Sequence, residues 1–174
     1  MSNIGSVEQI LRVNHAGECG AIWIYRSQIA ITGLFHPSCV AELQSMLDHE
    51  RVHFARFDAV LKNRGIRHCH ALAFWAFGGW LLGTITALMG PKAIWSCTAA
   101  IETRVNLHLE HQIAFLELHD AEILEAVKSI QADEKAHEQH ARSKGGDADG
   151  VLYRGLRVCI VGATSFAIWL STQL

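Results

Sequence analysis

Proline is scarce: Pro37 and Pro91 are the only two in 174 residues. A chain so poor in helix breakers allows long helices. Sustained strand-type alternation is missing as well, and the long segments follow a 3.6-residue period, so the fold class is all-α. The five cysteines, Cys19, Cys39, Cys69, Cys97 and Cys159, include no C-x-x-C pair. That excludes a zinc knuckle or a disulfide scaffold and points to free, structural thiols in a reducing compartment. Neither sign of charge dominates, with 15 basic and 17 acidic residues and a net charge of -2, so there is no electrostatic footprint for nucleic acid. A G-x-G-x-x-G fingerprint is also missing, which excludes a Rossmann site for a nicotinamide nucleotide. The N-terminal MSNIGSVEQILRVNHAGE shows neither a secretory h-region nor an Arg-rich transit peptide, so the chain is expected on the cytoplasmic side.

What is present is apolar sequence and histidine. Half of the residues are hydrophobic, and 11 are histidine. ALAFWAFGGWLLGTITALMGP, residues 71–91, is an uncharged run of 21 residues, past the roughly 18-residue threshold for a candidate spanning helix. VCIVGATSFAIWL, residues 158–170, has 13 residues and reads as a core or interfacial helix too short to span. Breaks at HPS (36–38), GP (90–91), HD (119–120) and GGDADG (145–150) divide the chain into helices near 5–34, 38–64, 70–89, 92–118, 121–143 and 151–171. The length suits one domain over residues 1–174.

The string HERVH, residues 49–53, fits two chemistries. As H-E-x-x-H it would put His49 and His53 on a zinc ion with Glu50 as general base. As Glu50-x-x-His53 it would be half of something larger. A shift of 84 positions decides between them: it lays Glu18 on Glu102, Gln28-Ile29-Ala30 on Gln112-Ile113-Ala114, Glu50 on Glu134 and His53 on His137, so residues 11–64 and 95–143 form an internal repeat. His49 falls on Asp133, so the repeated unit is Glu-x-x-His. The seam Cys39, Leu43, Met46, Glu50, His53, Phe57, Val60 and its copy Ile123, Val127, Ile130, Glu134, His137, Ala141 both have core-facing spacing.

Glu18 shares a helical line with Leu11, Tyr25 and Ile29, and Glu102 with Trp95, Val105 and Leu109. Four glutamates and two histidines therefore face one core. Each isolated buried carboxylate costs several kcal/mol, against a typical total stability of about 5–15 kcal/mol. Arg12, Arg51, Arg104 and Lys135 adjoin the seams without lying on them, so they do not neutralise the cluster. Two divalent cations would. One Glu from each of two helices and Glu-x-x-His from each of two others is the ligand set of ferritin-like di-iron and di-manganese bundles. A carboxylate-rich site without thiolate favours iron or manganese. His15, three residues before Glu18, is a candidate to orient a ligand, and His108, within two turns of Glu102, a candidate redox relay.

With RVNHAGE (12–18), DHERVHF (48–54), CTAAIET (97–103), DEKAHEQH (133–140) and the C-terminal IWLSTQL in view, the chain resembles the demethoxyubiquinone hydroxylase family of ubiquinone biosynthesis over residues 7–174. The resemblance implies a ferritin-like four-helix bundle with a di-iron core plus two additional apolar helices, about 70–89 and 151–171. It implies iron ligands at Glu18, Glu50, His53, Glu102, Glu134 and His137, and a monooxygenase that uses dioxygen to hydroxylate the ring of a polyprenyl benzoquinol. An external reductant, NADH or the quinol itself, is implied too. So is membrane lipid as a partner, with the 71–91 run as a monotopic anchor flanked by Arg64, Arg67 and Lys92. That places the chain on the cytoplasmic face of the cell membrane, or on the inner mitochondrial membrane in a eukaryote. A lipid-binding partner protein and a homo-oligomer are further expectations.

The family usually carries aspartate, tyrosine and tyrosine where this chain has Asn14, Cys19 and Leu109, so any relay falls to His108 alone. Three rivals share features with this reading: a rubrerythrin- or ferritin-like peroxidase or ferroxidase, a membrane di-iron quinol oxidase, and a non-enzymatic quinone-binding subunit. Protein purified without oxygen is expected to hold about two irons per chain. Iron analysis of Glu50→Ala and Glu134→Ala should show metal and activity lost together; a full complement in either variant removes that glutamate from the site.

Overall fold

The computed structural model describes residues 5–173; MSNI at the start of the leader reading and Leu174, which ends IWLSTQL, lie outside the described residues. The described residues form helices α1 (Val7–Phe35), α2 (Val40–Asn63), α3 (Leu72–Leu88), α4 (Pro91–Leu116), α5 (Ala121–Ala141) and α6 (Val151–Gln173), with no strand among them. The breaks fall where the sequence places them. Ser6 caps α1 by accepting the Gln9 N–H, and Asp120 caps α5 by accepting the Ile123 N–H. His36-Pro37 closes α1 through a 3₁₀ turn, Pro37–Cys39. Gly90, at φ 94°, makes the left-handed turn that lets Pro91 begin α4. A π-helical turn over Arg142–Gly146 ends the fifth helix.

Helices α1 and α2 pack as one pair and α4 and α5 as another, and the two pairs face each other as a four-helix bundle. Two buried clusters lie along it. One contains Tyr25, Leu43, Met46, Ile94 and Trp95; the other contains Leu11, Phe57, Leu116, Ile123 and Val127. Helix α3 crosses from α2 to α4 and packs most extensively on α1, while α6 packs on α4 and α1. Three long-range hydrogen bonds pin α6 in place: Trp75 Nε1 donates to Ser171 Oγ at 2.7 Å, Arg104 Nε to Ser165 Oγ at 2.7 Å, and Gln9 Nε2 to the Thr172 carbonyl at 3.1 Å.

Of the two apolar helices, expected near 70–89 and 151–171, the first is shorter than expected and the second slightly longer. The uncharged 21-residue run yields a helix of only 17 residues, because Ala71, Met89 and Gly90 are used in turns and Pro91 begins α4. The C-terminal helix continues for 23 residues through Arg154 and Arg157 and is long and apolar enough to cross a membrane. Its hydrogen bonds to α1, α3 and α4 instead hold it along the bundle. Arg64, expected at a membrane flank, is engaged elsewhere: it bridges Asp120 at 2.5 Å and Glu122 at 2.7 Å, tying the end of α2 to the start of α5.

The α1–α3 contact depends on glycine. A Cβ on Gly79 would lie 2.3 Å from the Gly20 carbonyl oxygen, and one on Gly83 would lie 2.4 Å from that of Ile24, whereas a Cβ on Gly78 would meet nothing within 4 Å. Gly79→Ala is therefore expected to destabilise the protein by about 1–3 kcal/mol through overpacking. Gly78→Ala should be neutral or stabilising by up to about 1 kcal/mol, since alanine is the better helix former. Denaturant unfolding in detergent compares the two, and an equal effect of both would refute the close-packing account.

Candidate metal centre

The bundle brings all six candidate ligands together from four helices. Glu18 comes from α1, Glu50 and His53 from α2, Glu102 from α4, and Glu134 and His137 from α5; all six are buried. They form two overlapping groups, Glu18–Glu50–His53–Glu134 and Glu50–Glu102–Glu134–His137, in each of which one ligand atom per residue lies within 4.8 Å of the others. Glu50 and Glu134 belong to both groups, whereas Glu18 and Glu102 each belong to one. His49 belongs to neither group, which removes the H-E-x-x-H reading.

The chemistry of the cluster fits cations. Glu50 Oε1, His53 Nδ1, Glu134 Oε2 and His137 Nδ1 are buried without a hydrogen-bond partner. Buried polar atoms are seldom left so, and here they converge. Without a metal, protons take its place. Burial, together with the charges of Glu50 and Glu134, pushes Glu18 well above the usual carboxylate range; burial and the same two neighbours do so for Glu102. Burial would raise Glu134 as well, but the neighbouring His137 and His53 imidazoles, each 3.3 Å away, outweigh it and hold the group at about 2. For His137 the effect of burial is overcome by Glu134 and Glu50, which raise it to about 10, and His53 is raised in the same way.

Three further residues complete the centre, and sequence reasoning did not assign them. His53 Nε2 lies 3.1 Å from Asp133 Oδ2, and His137 Nε2 lies 2.9 Å from His49 Nδ1, with those two rings stacked at 5.2 Å. Each contact crosses between the helix pairs. The signal was present, because the 84-residue shift that pairs Glu50 with Glu134 pairs His49 with Asp133. Tyr25 Oη donates to Glu102 Oε1 at 3.4 Å. His15 does not orient a ligand: its ring stacks on Phe54 at 4.2 Å, and neither ring nitrogen has a hydrogen-bond partner. His108 is buried with Nε2 unpartnered, and burial, then Arg104, lowers it to about 4.

Beside the cluster a cavity of about 430 Å³ lies between α1, α3, α4 and α6. Glu18, Glu50, Glu102 and Glu134 form its floor, and apolar side chains with Asn14, His108 and Thr164 form its wall. Phe74 and Phe166 line it and are also exposed, so they mark its mouth.

A buried cluster of four glutamates and two histidines able to hold metal ions, set in an all-helical bundle and opening onto an apolar cavity, defines the class. The family described as Ubiquinone biosynthesis protein COQ7 matches residues 5–171, and the chain belongs to that family. It is 34% identical over 176 residues to the rat protein named NADPH-dependent 3-demethoxyubiquinone 3-hydroxylase, mitochondrial, covering 98% of this chain and 79% of that one. The protein of the same name from Dictyostelium discoideum is 32% identical over 171 residues, covering 97% of this chain and 77% of that one. The 3-demethoxyubiquinol 3-hydroxylase of Rhodospirillum rubrum is 31% identical over 168 residues, covering 97% and 78%.

Metal binding to this centre must displace the protons on Glu18, Glu102, His53 and His137. All four groups have raised proton affinity in the metal-free protein, and His137, raised to about 10, keeps its proton across the neutral range and must give it up to a cation. Affinity for a divalent ion is therefore expected to rise with pH across the neutral range. Calorimetry in buffers of different ionisation enthalpy would report the released protons; uptake without proton release would contradict the assignment.

Proposed function

We propose that this chain hydroxylates the ring of a demethoxyubiquinol in ubiquinone biosynthesis, using two irons and dioxygen. The observation that carries the reading is the apolar cavity whose floor is the carboxylate cluster and whose mouth lies between two apolar helices. Its volume, about 430 Å³, is in the range of small-molecule sites and admits a substituted benzoquinol ring, leaving the tail to leave past Phe74 and Phe166. Its relatives are named for this hydroxylation.

Bound iron would supply the reduction of dioxygen, so that a ring C–H becomes C–OH, the second oxygen atom leaves as water, and two electrons with two protons are taken from an external reductant. A reduced nicotinamide nucleotide or the quinol itself serves as that reductant. Glu18, Glu50, His53, Glu102, Glu134 and His137 would hold the two irons, with Glu50 and Glu134 common to both groups of candidate ligands. The wall of the cavity keeps water away from the reacting ring. His108, neutral at physiological pH because burial holds it down at about 4, presents Nε2 to accept the hydroxyl proton of a bound quinol. Leu109 offers no hydroxyl there, so the phenol nearest the cluster is Tyr25, on Glu102.

Phe77 and Trp80 on α3 and Val158 and Trp169 on α6 are exposed, an apolar surface suited to the interface of a bilayer. We place the protein as a monotopic one on the cytoplasmic face of the cell membrane, or on the inner mitochondrial membrane in a eukaryote. Replacing Phe77, Trp80 and Trp169 with serine is expected to move it into the soluble fraction and to impair long-tailed quinols more than short-tailed ones. Trp75 is unsuitable for that test, since it holds α3 to α6 through Ser171. Supplying labelled dioxygen, a demethoxyquinol and a reductant should give a hydroxylated ring carrying one labelled oxygen. Oxygen taken from water, or quinol oxidised to quinone without hydroxylation, would replace this reading with a quinol oxidase.

A further inference from the structure

The internal repeat makes each half of the centre a control for the other. At the first position, Glu18 and His53, the imidazole is backed by the Asp133 carboxylate at 3.1 Å. At the second, Glu102 and His137, the residue at the matching place is His49, at 2.9 Å. Nδ1 of each ligand histidine faces the carboxylates, His53 at 3.3 Å from Glu134 Oε1 and His137 at 3.4 Å from Glu50 Oε1, so Nε2 is the outward donor in both. The His53 ring therefore donates to an anion. With Nε2 as the donor, the His137 ring has only Nδ1 of the neighbouring His49 imidazole as its acceptor. A carboxylate draws the donated proton more strongly and makes its ring the better electron donor to a metal.

The second repeat-related difference acts in the same direction. Tyr25 and Leu109 are equivalent under the shift of 84. The Tyr25 hydroxyl donates to Glu102 Oε1 at 3.4 Å and withdraws charge from that carboxylate, while Leu109 has no hydroxyl to offer Glu18. Both terminal ligands of the first position are thus stronger donors than their counterparts.

We propose that His49 is the positioning residue for His137, and that His49 and Tyr25 together make the Glu102–His137 position the weaker of two unequal metal positions, the last to fill and the first to empty. This rests on the metal-centre reading above. His49 lies at the wall of a second opening of about 300 Å³, lined also by Glu42, His137 and His140 on the α2–α5 side, remote in chemistry from the apolar cavity. Its ring is exposed, so it can be replaced without opening the core.

The test is a titration of metal-free protein with cobalt(II) under argon, followed by visible absorption, with far-UV circular dichroism to show that each variant remains folded. Wild type should take up cobalt in two resolved steps. His49→Ala should weaken the second step by about tenfold, the lower end expected for losing a partner of a ligand histidine, and leave the first unchanged. His49→Gln, whose amide oxygen can still accept from Nε2, should stay within about threefold of wild type, and His49→Asp should tighten the second step toward the first. Asp133→Asn should weaken the first step instead. No cobalt uptake by wild type defeats the metal-centre reading itself. Uptake in a single step, or both steps moving together in His49→Ala, overturns this inference while leaving that reading intact.

Discussion

Everything in this fold answers to the burial of four carboxylates and two imidazoles at the centre of an otherwise apolar bundle. Ionised carboxylates withdrawn from water cost several kcal/mol each unless opposite charge meets them. The described residues place no lysine or arginine within ion-pairing distance of these six. Compensation comes from the cluster itself, through protons shared among Glu18, Glu102, His53, His137 and Glu134 in the metal-free state. This arrangement requires four helices to present their ligands at the same height. The paired hairpins meet that need, and the cross-pair contacts of His49 and Asp133 hold the two ligand rings in orientation.

The bundle is two-sided as a result. On the side of α3 and α6 the centre lies under an apolar cavity with exposed aromatic residues at its mouth. On the side of α2 and α5 the same centre is reached past His49 and His140, with Glu42 bound to His140 at 2.8 Å and to Lys144 at 2.7 Å. Two openings of different character, one apolar and one polar, thus border one cluster. The close α1–α3 packing borders this cavity, since Gly79 lines it and leaves no room for a side chain against α1.

Much of this was legible along the chain, for a reason that applies to helices generally. Residues three and four apart share a face, so spacing alone shows which side chains point inward. The helix breaks, both seams and the six clustered residues depend only on positions along one helix at a time. Turn residues likewise act locally, and His36-Pro37, Gly90-Pro91 and Asp120 end or begin helices through their own backbone chemistry.

What spacing did not specify is how one helix is rotated and slid against another. His15 and His49 were both near the ligands in sequence, and only the packing sends His49 to His137 and His15 to Phe54. Arg64 looked like a membrane flank until α5 brought Asp120 and Glu122 within reach. Trp75 sits in the uncharged run beside Phe74 and Phe77, yet it turns inward to Ser171. The C-terminal helix passes the length test for a span and is nevertheless held to the bundle by bonds from Gln9, Trp75 and Arg104. The sequence by itself determined which groups must share the core, because helical periodicity is local. Their partners were decided only by tertiary structure, because inter-helix register is set by the sum of all the packing contacts.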